Sequence, residues 1–305
     1  MDEPVLLTGA GGRVGQAILR GIGDDYDWRL LDREPLPAAK VPNGVTDADR
    51  YVADITDERA VREAVADVGA VIHLAGDPRK TAPWDSVLRN NIDGTQVVMR
   101  AAADAGVEKF AFASSNHAVG GYETDERTPD LYRSEDEYRL DGSELPRPGN
   151  LYGVSKAAGE SLGRFYHDEF GMSVVCVRIG NLTKDHPPRE YERGQAMWLS
   201  HRDCAHLFDR CLRATYGYEV VYGISNNDRR YYSIERAREA LGYDPADNSA
   251  DYTFDGRPKA DTGAGGDPDT GAGGDPDEAA PESDAADSPA EPNFPTGPDT
   301  PTDNA

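Results

Sequence analysis

A phenol and an ammonium stand four residues apart in "LYGVSK", Leu151 to Lys156. In a helix, positions i and i+4 share one face, so Tyr152 and Lys156 point the same way. A free phenol titrates at about pH 10 and is a weak base at neutral pH, whereas a neighbouring cation favours the phenolate. Such a pair can act as a general acid/base; the competing reading is a solvated helix face. A second cluster lies near the N-terminus, where "TGAGGRVGQAIL" spaces Gly9, Gly12 and Gly15 by three residues. Glycines there permit a tight turn and close backbone approach, and the helix that follows turns its N-terminus toward a pyrophosphate. Asp32 ends the next apolar run, where a carboxylate accepts both ribose hydroxyls of a dinucleotide and repels a 2′-phosphate. The expected cofactor is therefore NAD, with neighbouring Arg33 as the residue that would instead accommodate NADP.

These residues need a frame that brings them together. Residues 4–9, 28–32, 50–54, 70–76, 109–115, 173–181 and 219–225 read as strands, and helical patterns fall near 13–21, 57–67, 85–104 and 151–169. Near-continuous apolar strands joined by helical crossovers predict an α/β, Rossmann-type doubly wound parallel sheet covered on both faces. Ligands of such sheets bind outside the carboxyl ends of the strands. That rule adds Asp54 and Ile55 after the third strand, Leu74, Ala75 and Gly76 after the fourth, and Ile179 in the sixth to the expected cofactor site. Arg13 and Val14 belong to it within the glycine loop. "ASSNHAVGG" brings Ser115, Asn116 and His117 to the same edge, and "RIGN" brings Asn181. Strand alternation turns Ser114 away from Ser115.

Composition narrows the partners. Asp plus Glu number 56 against 32 Lys plus Arg, a formal net charge of -24 with an isoelectric point near 4.5. That balance argues against nucleic acid, whose binding needs a basic stripe. Only six of the basic residues are lysine, and an acid-rich, lysine-poor surface suits a halophile, where salt screens self-repulsion. Cys176, Cys204 and Cys211 form no even disulfide framework and read as reduced core thiols, and no metal constellation is visible. The acidic N-terminus runs straight into a strand, no apolar run approaches the ~20 residues of a membrane span, and a cytoplasmic protein is expected. Residues 1–256 are expected to form one domain, its cofactor part mainly 1–180 and a small substrate-binding region mainly 181–256. "DTGAGGDP" at 261–268 repeats at 269–276 inside an Asp/Glu/Pro/Ala segment, 257–305, that is expected to be disordered. A solubilising brush is the expected role of this tail, and partner binding is the alternative.

In their order along the chain, "TGAGGRVG", "IHLAG", "NIDGT", "SSNHAVG", "YGVSK" and "RIGN" resemble the extended short-chain dehydrogenase/reductase family. The resemblance implies that Tyr152 is the acid/base, that Lys156 lowers its pKa and holds the nicotinamide ribose, and that Ser115 fixes the reacting oxygen. It places Asn91 of "NIDGT" beside the lysine, among the cofactor residues, and sets Asn116 and His117 against substrate hydroxyls. A dimer or tetramer built on the Tyr152 helix is expected by the same analogy. Dehydratases of the family carry an acidic pair where this chain has Asn-His, and nucleotide-sugar epimerases need a larger C-terminal lobe. A non-catalytic NAD sensor on the same fold usually lacks the Tyr/Lys pair.

Within the family, "SSNH", "LYGVSK", "RIG", "MWLSHRD" and "VYGISNND" are similar to the uronate dehydrogenases and to a related halophilic archaeal group acting on glucose 6-phosphate. Both imply oxidation of a ring C1 hydroxyl to a lactone. In the uronate group an arginine five residues before a tryptophan binds the carboxylate, a spacing that Arg193 and Trp198 match. Arg79, Lys80, Lys184 and Arg189 add further cations in "GDPRKTAP" and "NLTKDHPPREYER", and Arg229 and Arg230 follow "SNND". A dianionic phosphate rewards several cations, whereas a carboxylate needs one bidentate arginine. The expected substrate is therefore glucose 6-phosphate, with a uronate as the alternative. Each cation taken singly also reads as a solvated charge offsetting acidic neighbours.

Overall fold

The computed structural model describes residues 3–123, 140–183, 186–189 and 192–252. In chain order its main elements are β1 (Val5–Thr8), α1 (Arg13–Ile22), β2 (Trp28–Asp32), β3 (Arg50–Val52), α2 (Glu58–Val65) and β4 (Ala70–His73). There follow α3 (Trp84–Ser86), α4 (Gly94–Asp104), β5 (Lys109–Ser115), α5 (Leu151–Phe170), β6 (Ser173–Ile179) and β7 (Asn181–Leu182). The last are α6 (Glu192–Ala196), β8 (Trp198–Leu199), α7 (His201–Arg213), β9 (Tyr218–Gly223) and α8 (Glu235–Leu241). Seven strands form one sheet in the order β3-β2-β1-β4-β5-β6-β9, every pair parallel. The order reverses between β1 and β4, the switch point at which doubly wound sheets open a crevice for ligands.

Alternation along the strands builds a core on each face. Val5 and Leu7 of β1 join Ile72, Val175 and Val177 beneath Ile18 of α1 and Leu207 and Phe208 of α7. Leu6 joins Val71, Phe110, Phe112 and Val174 beneath Val61 of α2, Val98 and Met99 of α4 and Tyr166 of α5. Cys204 and Cys211 lie in the first core and Cys176 in the second, all as free, buried thiols. A third cluster gathers Val119, Leu140, Tyr222, Tyr231, Tyr232 and Ile234, where Tyr222 and Tyr232 stack with ring centroids 4.4 Å apart. It supports the side of the crevice on which β7 and β8 pair.

The helix expected over 85–104 is divided. A π-helical segment, Val87–Asp93, separates α3 from α4, and the Gly94 amide donates to the Arg89 carbonyl five residues back. Gly94 packs on Ile55, where an added Cβ would lie 2.5 Å from Cδ1. The described residues all fall in one compact unit, Met1–Thr262, and among them no helix is long and apolar enough to cross a membrane. The acidic segment 257–305 lies outside the described residues.

Candidate active site

The glycine loop is built to let another group approach its backbone. Gly9 has φ +71°, and a Cβ there would sit 2.8 Å from the Ala75 nitrogen. A Cβ on Gly15 would lie 2.7 Å from both the Gly9 and Ala10 carbonyl oxygens, so only glycine lets α1 start this close to β1. Asp32 is held ready beside the loop: its Oδ2 accepts the Gly11 amide at 2.8 Å and its Oδ1 the Arg33 amide at 2.7 Å. Arg13, in the first turn of α1, donates from Nη1 to the Leu182 carbonyl at 3.0 Å, and Val14 is half-buried. Leu74 and Ala75 are fixed from below by Thr8, whose Oγ1 lies 3.3 Å from both their amides. Asp54 is capped by Thr56, whose amide and hydroxyl donate to Oδ1 at 2.9 and 2.8 Å, and Ile55 is buried. Ile179 ends β6 almost fully buried. A close-approach backbone, a helix N-terminus and a carboxylate at the end of β2 together fit a dinucleotide.

The expected reacting groups meet at the ends of β5 and α5. Asn150 caps α5, its Oδ1 accepting the Gly153 amide at 2.8 Å. A Cβ on Gly153 would lie 2.1 Å from the His117 carbonyl oxygen, so this glycine lets the helix abut the loop after β5. The Ser115 hydroxyl lies close enough to the Tyr152 phenol to favour its ionised form. Lys156 is buried, donates from Nζ to the Ala113 carbonyl at 2.8 Å and lies 5.4 Å from the Tyr152 ring centroid. His117 meets the Tyr152 ring edge-on at 5.8 Å. Its Nδ1 lies 3.1 Å from Asn150 Nδ2, which only donates, so a neutral His117 carries its proton on Nε2. Ser115 Oγ accepts the His117 amide at 3.2 Å and lies 3.3 Å from Asn116 Oδ1. The Asn116 Nδ2 is buried without a partner, an amide donor one residue from Ser115. Asn181 lies half-buried at the start of β7.

Ser114 turns to the opposite face, as alternation predicts, and donates to Glu160 Oε1 at 2.6 Å. Glu160 receives both Nε and Nη2 of Arg178 at 2.9 Å, and Arg178 reaches Glu144 at 3.1 Å. This buried ion network ties β5, β6 and α5 together directly behind Ser115. The distant spacing of its members, 160 against 178 and 144, leaves no local signal in sequence.

Burial dominates the electrostatics of the pair. It pushes Tyr152 up to about 12, the neighbouring Ser115 hydroxyl opposes this, and the Asp77 charge adds to it. Burial also brings Lys156 down to about 8. Desolvation is the largest cause of both shifts.

Three further expected site residues have protein partners. Asn91 is buried, and its amide is engaged by protein: Oδ1 accepts the Asp77 amide at 2.6 Å, while Nδ2 donates to the Asp77 carbonyl and to Ser155 Oγ, each at 3.0 Å. It supports the loop after β4 and the base of α5, beside Lys156. Arg79 is not an isolated cation: Nε and Nη2 clamp the Asp77 carboxylate at 2.9 and 2.6 Å. Arg193 is ion-paired with the buried Glu123, which also accepts the Tyr232 hydroxyl. Lys80 is half-buried beside Arg79. Lys184 lies outside the described residues.

A parallel sheet with a glycine-loop dinucleotide cradle and a Ser/Tyr/Lys cluster at its carboxyl edge defines a nicotinamide-dependent oxidoreductase architecture. Residues 5–201 match the NAD dependent epimerase/dehydratase family, and the chain belongs to that family. It is 73% identical, over 85% of its length and 98% of the relative's, to an NAD-dependent glucose-6-phosphate dehydrogenase from Haloferax volcanii. It is 34% identical to a uronate dehydrogenase from Pseudomonas putida, covering 80% of this chain and 84% of that one. Among solved structures, a uronate dehydrogenase variant from Agrobacterium tumefaciens complexed with NAD superimposes with a TM-score of 0.70 at 33% identity, covering 82% of this chain and 86% of the other.

Proposed function

We propose that this protein oxidises the C1 hydroxyl of glucose 6-phosphate to 6-phosphogluconolactone with NAD. The observation that carries the reading is buried Lys156, held at the Ala113 carbonyl with its ammonium 5.4 Å from the Tyr152 ring centroid, in a chain 73% identical to an enzyme of that name. Bound NAD supplies the hydride acceptor. Gly9, Gly12 and Gly15 leave room for its pyrophosphate, and Asp32 takes the adenosine ribose hydroxyls. Ser115 Oγ holds the C1 oxygen within reach of the phenol, and Tyr152 removes its proton as the lactone carbonyl forms. Bringing a phenol from about 12 to neutral pH asks for about 7 kcal/mol, at about 1.4 kcal/mol per unit. Lys156, held at Ala113 with its charge beside the ring, supplies part of that as the phenolate forms. Asn116 and His117 lie beside Ser115 as contacts for the sugar hydroxyls, and Asn181, Arg79, Lys80, Lys184 and Arg193 are assigned to the substrate side.

The reading carries with it a cytoplasmic location, in keeping with three reduced cysteines. It also carries a homo-oligomer: Phe165 and Phe170 are exposed together on the outer side of α5, and light scattering at high KCl should give at least twice the chain mass. The function itself is tested by NADH formation at high KCl with glucose 6-phosphate or glucuronate as the only sugar. Turnover with glucose 6-phosphate alone supports the reading. Turnover with glucuronate alone replaces it by uronate oxidation on the same machinery.

A further inference from the structure

The segment after β4 holds a carboxylate that the chemistry above does not use. Asp77 is only 9% exposed, and its position is fixed at every polar group. Its amide and carbonyl are both bonded by the Asn91 side chain. Its Oδ1 accepts Arg79 Nε at 2.9 Å and the Arg79 amide at 3.1 Å, and its Oδ2 accepts Arg79 Nη2 and Ser86 Oγ, each at 2.6 Å. The Asn91 amide continues to Ser155 Oγ, which donates to the Tyr152 carbonyl at 2.7 Å. Asp77 is thus built into the same frame as the reacting phenol. The Arg79 side chain, by contrast, is 64% exposed at the carboxyl edge of the sheet, where ligands of this fold bind.

A guanidinium carries five N–H donors in a rigid fork. The clamp engages the Nε proton and one on Nη2, leaving three outside it, aimed by a carboxylate that cannot move. We propose that Asp77 is a positioning residue and that Arg79, oriented by it, receives the anionic group at C6 of the sugar. This rests on the reading above that the substrate is a hexose bearing such a group. Pairing with Asp77 cancels most of the net charge of Arg79 and leaves directional donors. That trade suits concentrated salt: at 1 M the Debye length is about 3 Å, so distant attraction is lost while contacts at hydrogen-bond range survive. A flexible, strongly hydrated ammonium has no such fixed geometry.

The test is steady-state kinetics on Asp77→Asn, Arg79→Ala and the double variant, with glucose 6-phosphate and separately with glucuronate, at saturating NAD. Asparagine keeps the shape of Asp77 and an acceptor for Ser86, so the fold is retained. With whichever sugar the native enzyme oxidises, Asp77→Asn should raise KM about fivefold to tenfold and Arg79→Ala at least tenfold, with kcat of Arg79→Ala within about threefold and KM for NAD unchanged in both. The double variant should be no worse than Arg79→Ala, because Asp77 acts through Arg79. An unchanged KM for the sugar in Arg79→Ala overturns the inference, and so does a double variant in which the two losses multiply. Oxidation of glucuronate rather than glucose 6-phosphate by the native enzyme would refute the proposed substrate while the same KM comparison still decides the role of Arg79.

Discussion

The two ends of the crevice are made from different material. At β1 and β2 the cofactor cradle is shaped by main chain: Gly9 and Gly15 exclude any side chain from the approach, and Asp32 is held by two backbone amides. At β4 to β6 the reacting edge is shaped by side chains from distant parts of the chain, through Asn91, Ser155, Glu160, Glu144 and Arg178. A surface made of backbone recognises a constant ligand by shape. A surface made of paired side chains sets electrostatics, and it fails when one partner is removed.

That contrast can be broken from either side. Tyr152→Phe removes the proposed proton acceptor and leaves the cradle intact, so kcat should fall about 10²–10⁴-fold. Its Kd for NADH, read by fluorescence, should stay close to the native value; lost binding would mean that the two ends are not separable. Arg178→Met leaves Glu160 and Glu144 buried without their cation, and denaturant titration at fixed KCl should show about 3–5 kcal/mol less stability. A loss below 1 kcal/mol would show that water reaches this network. Gly15→Ala puts a methyl group 2.7 Å from two carbonyl oxygens. KM for NAD should rise about tenfold, about 1.4 kcal/mol, with kcat at saturating NAD moving less than twofold.

The smallest effect is also the most diagnostic. With Lys156 at about 8 and Tyr152 at about 12, the pair holds two protons at neutral pH and loses the first near pH 8. Catalysis needs the form with one proton, so kcat/KM should rise with pH through about 8 and level off above it. In Lys156→Met that rise should move to the alkaline side, toward the phenol's own value. A flat profile from pH 7 to 9 in the native enzyme would mean that the pair is not what limits it.

The same contrast explains what was legible in the sequence. The glycine spacing, the acid at the end of β2 and the Tyr/Lys pair are local patterns, and the fold brings them to one edge as the strand order requires. The charges read less well. Arg79 stood out in the basic segment "GDPRKTAP" and Arg193 by its spacing from Trp198, but each is tied to a carboxylate of low exposure. Asp77 lies two residues from Arg79, in plain view within "GDPRK", yet among 56 acidic residues a neighbouring aspartate carries no signal. Glu123 is 70 positions from Arg193, and only the fold pairs them. The burial that raises Tyr152 is likewise beyond any spacing, because desolvation depends on packing.

The wide turn at Val87–Asp93 makes chain length itself a working part. A π-turn carries one residue more than the α-helix around it, and each residue of an α-helix turns it by about 100°. Excising a single residue there would let the helix close up and swing Asn91 away from Asp77 and Ser155. Relatives that keep the active edge should therefore tolerate substitutions along this stretch far better than a deletion, and its length is a sharper signature of the reacting frame than its letters.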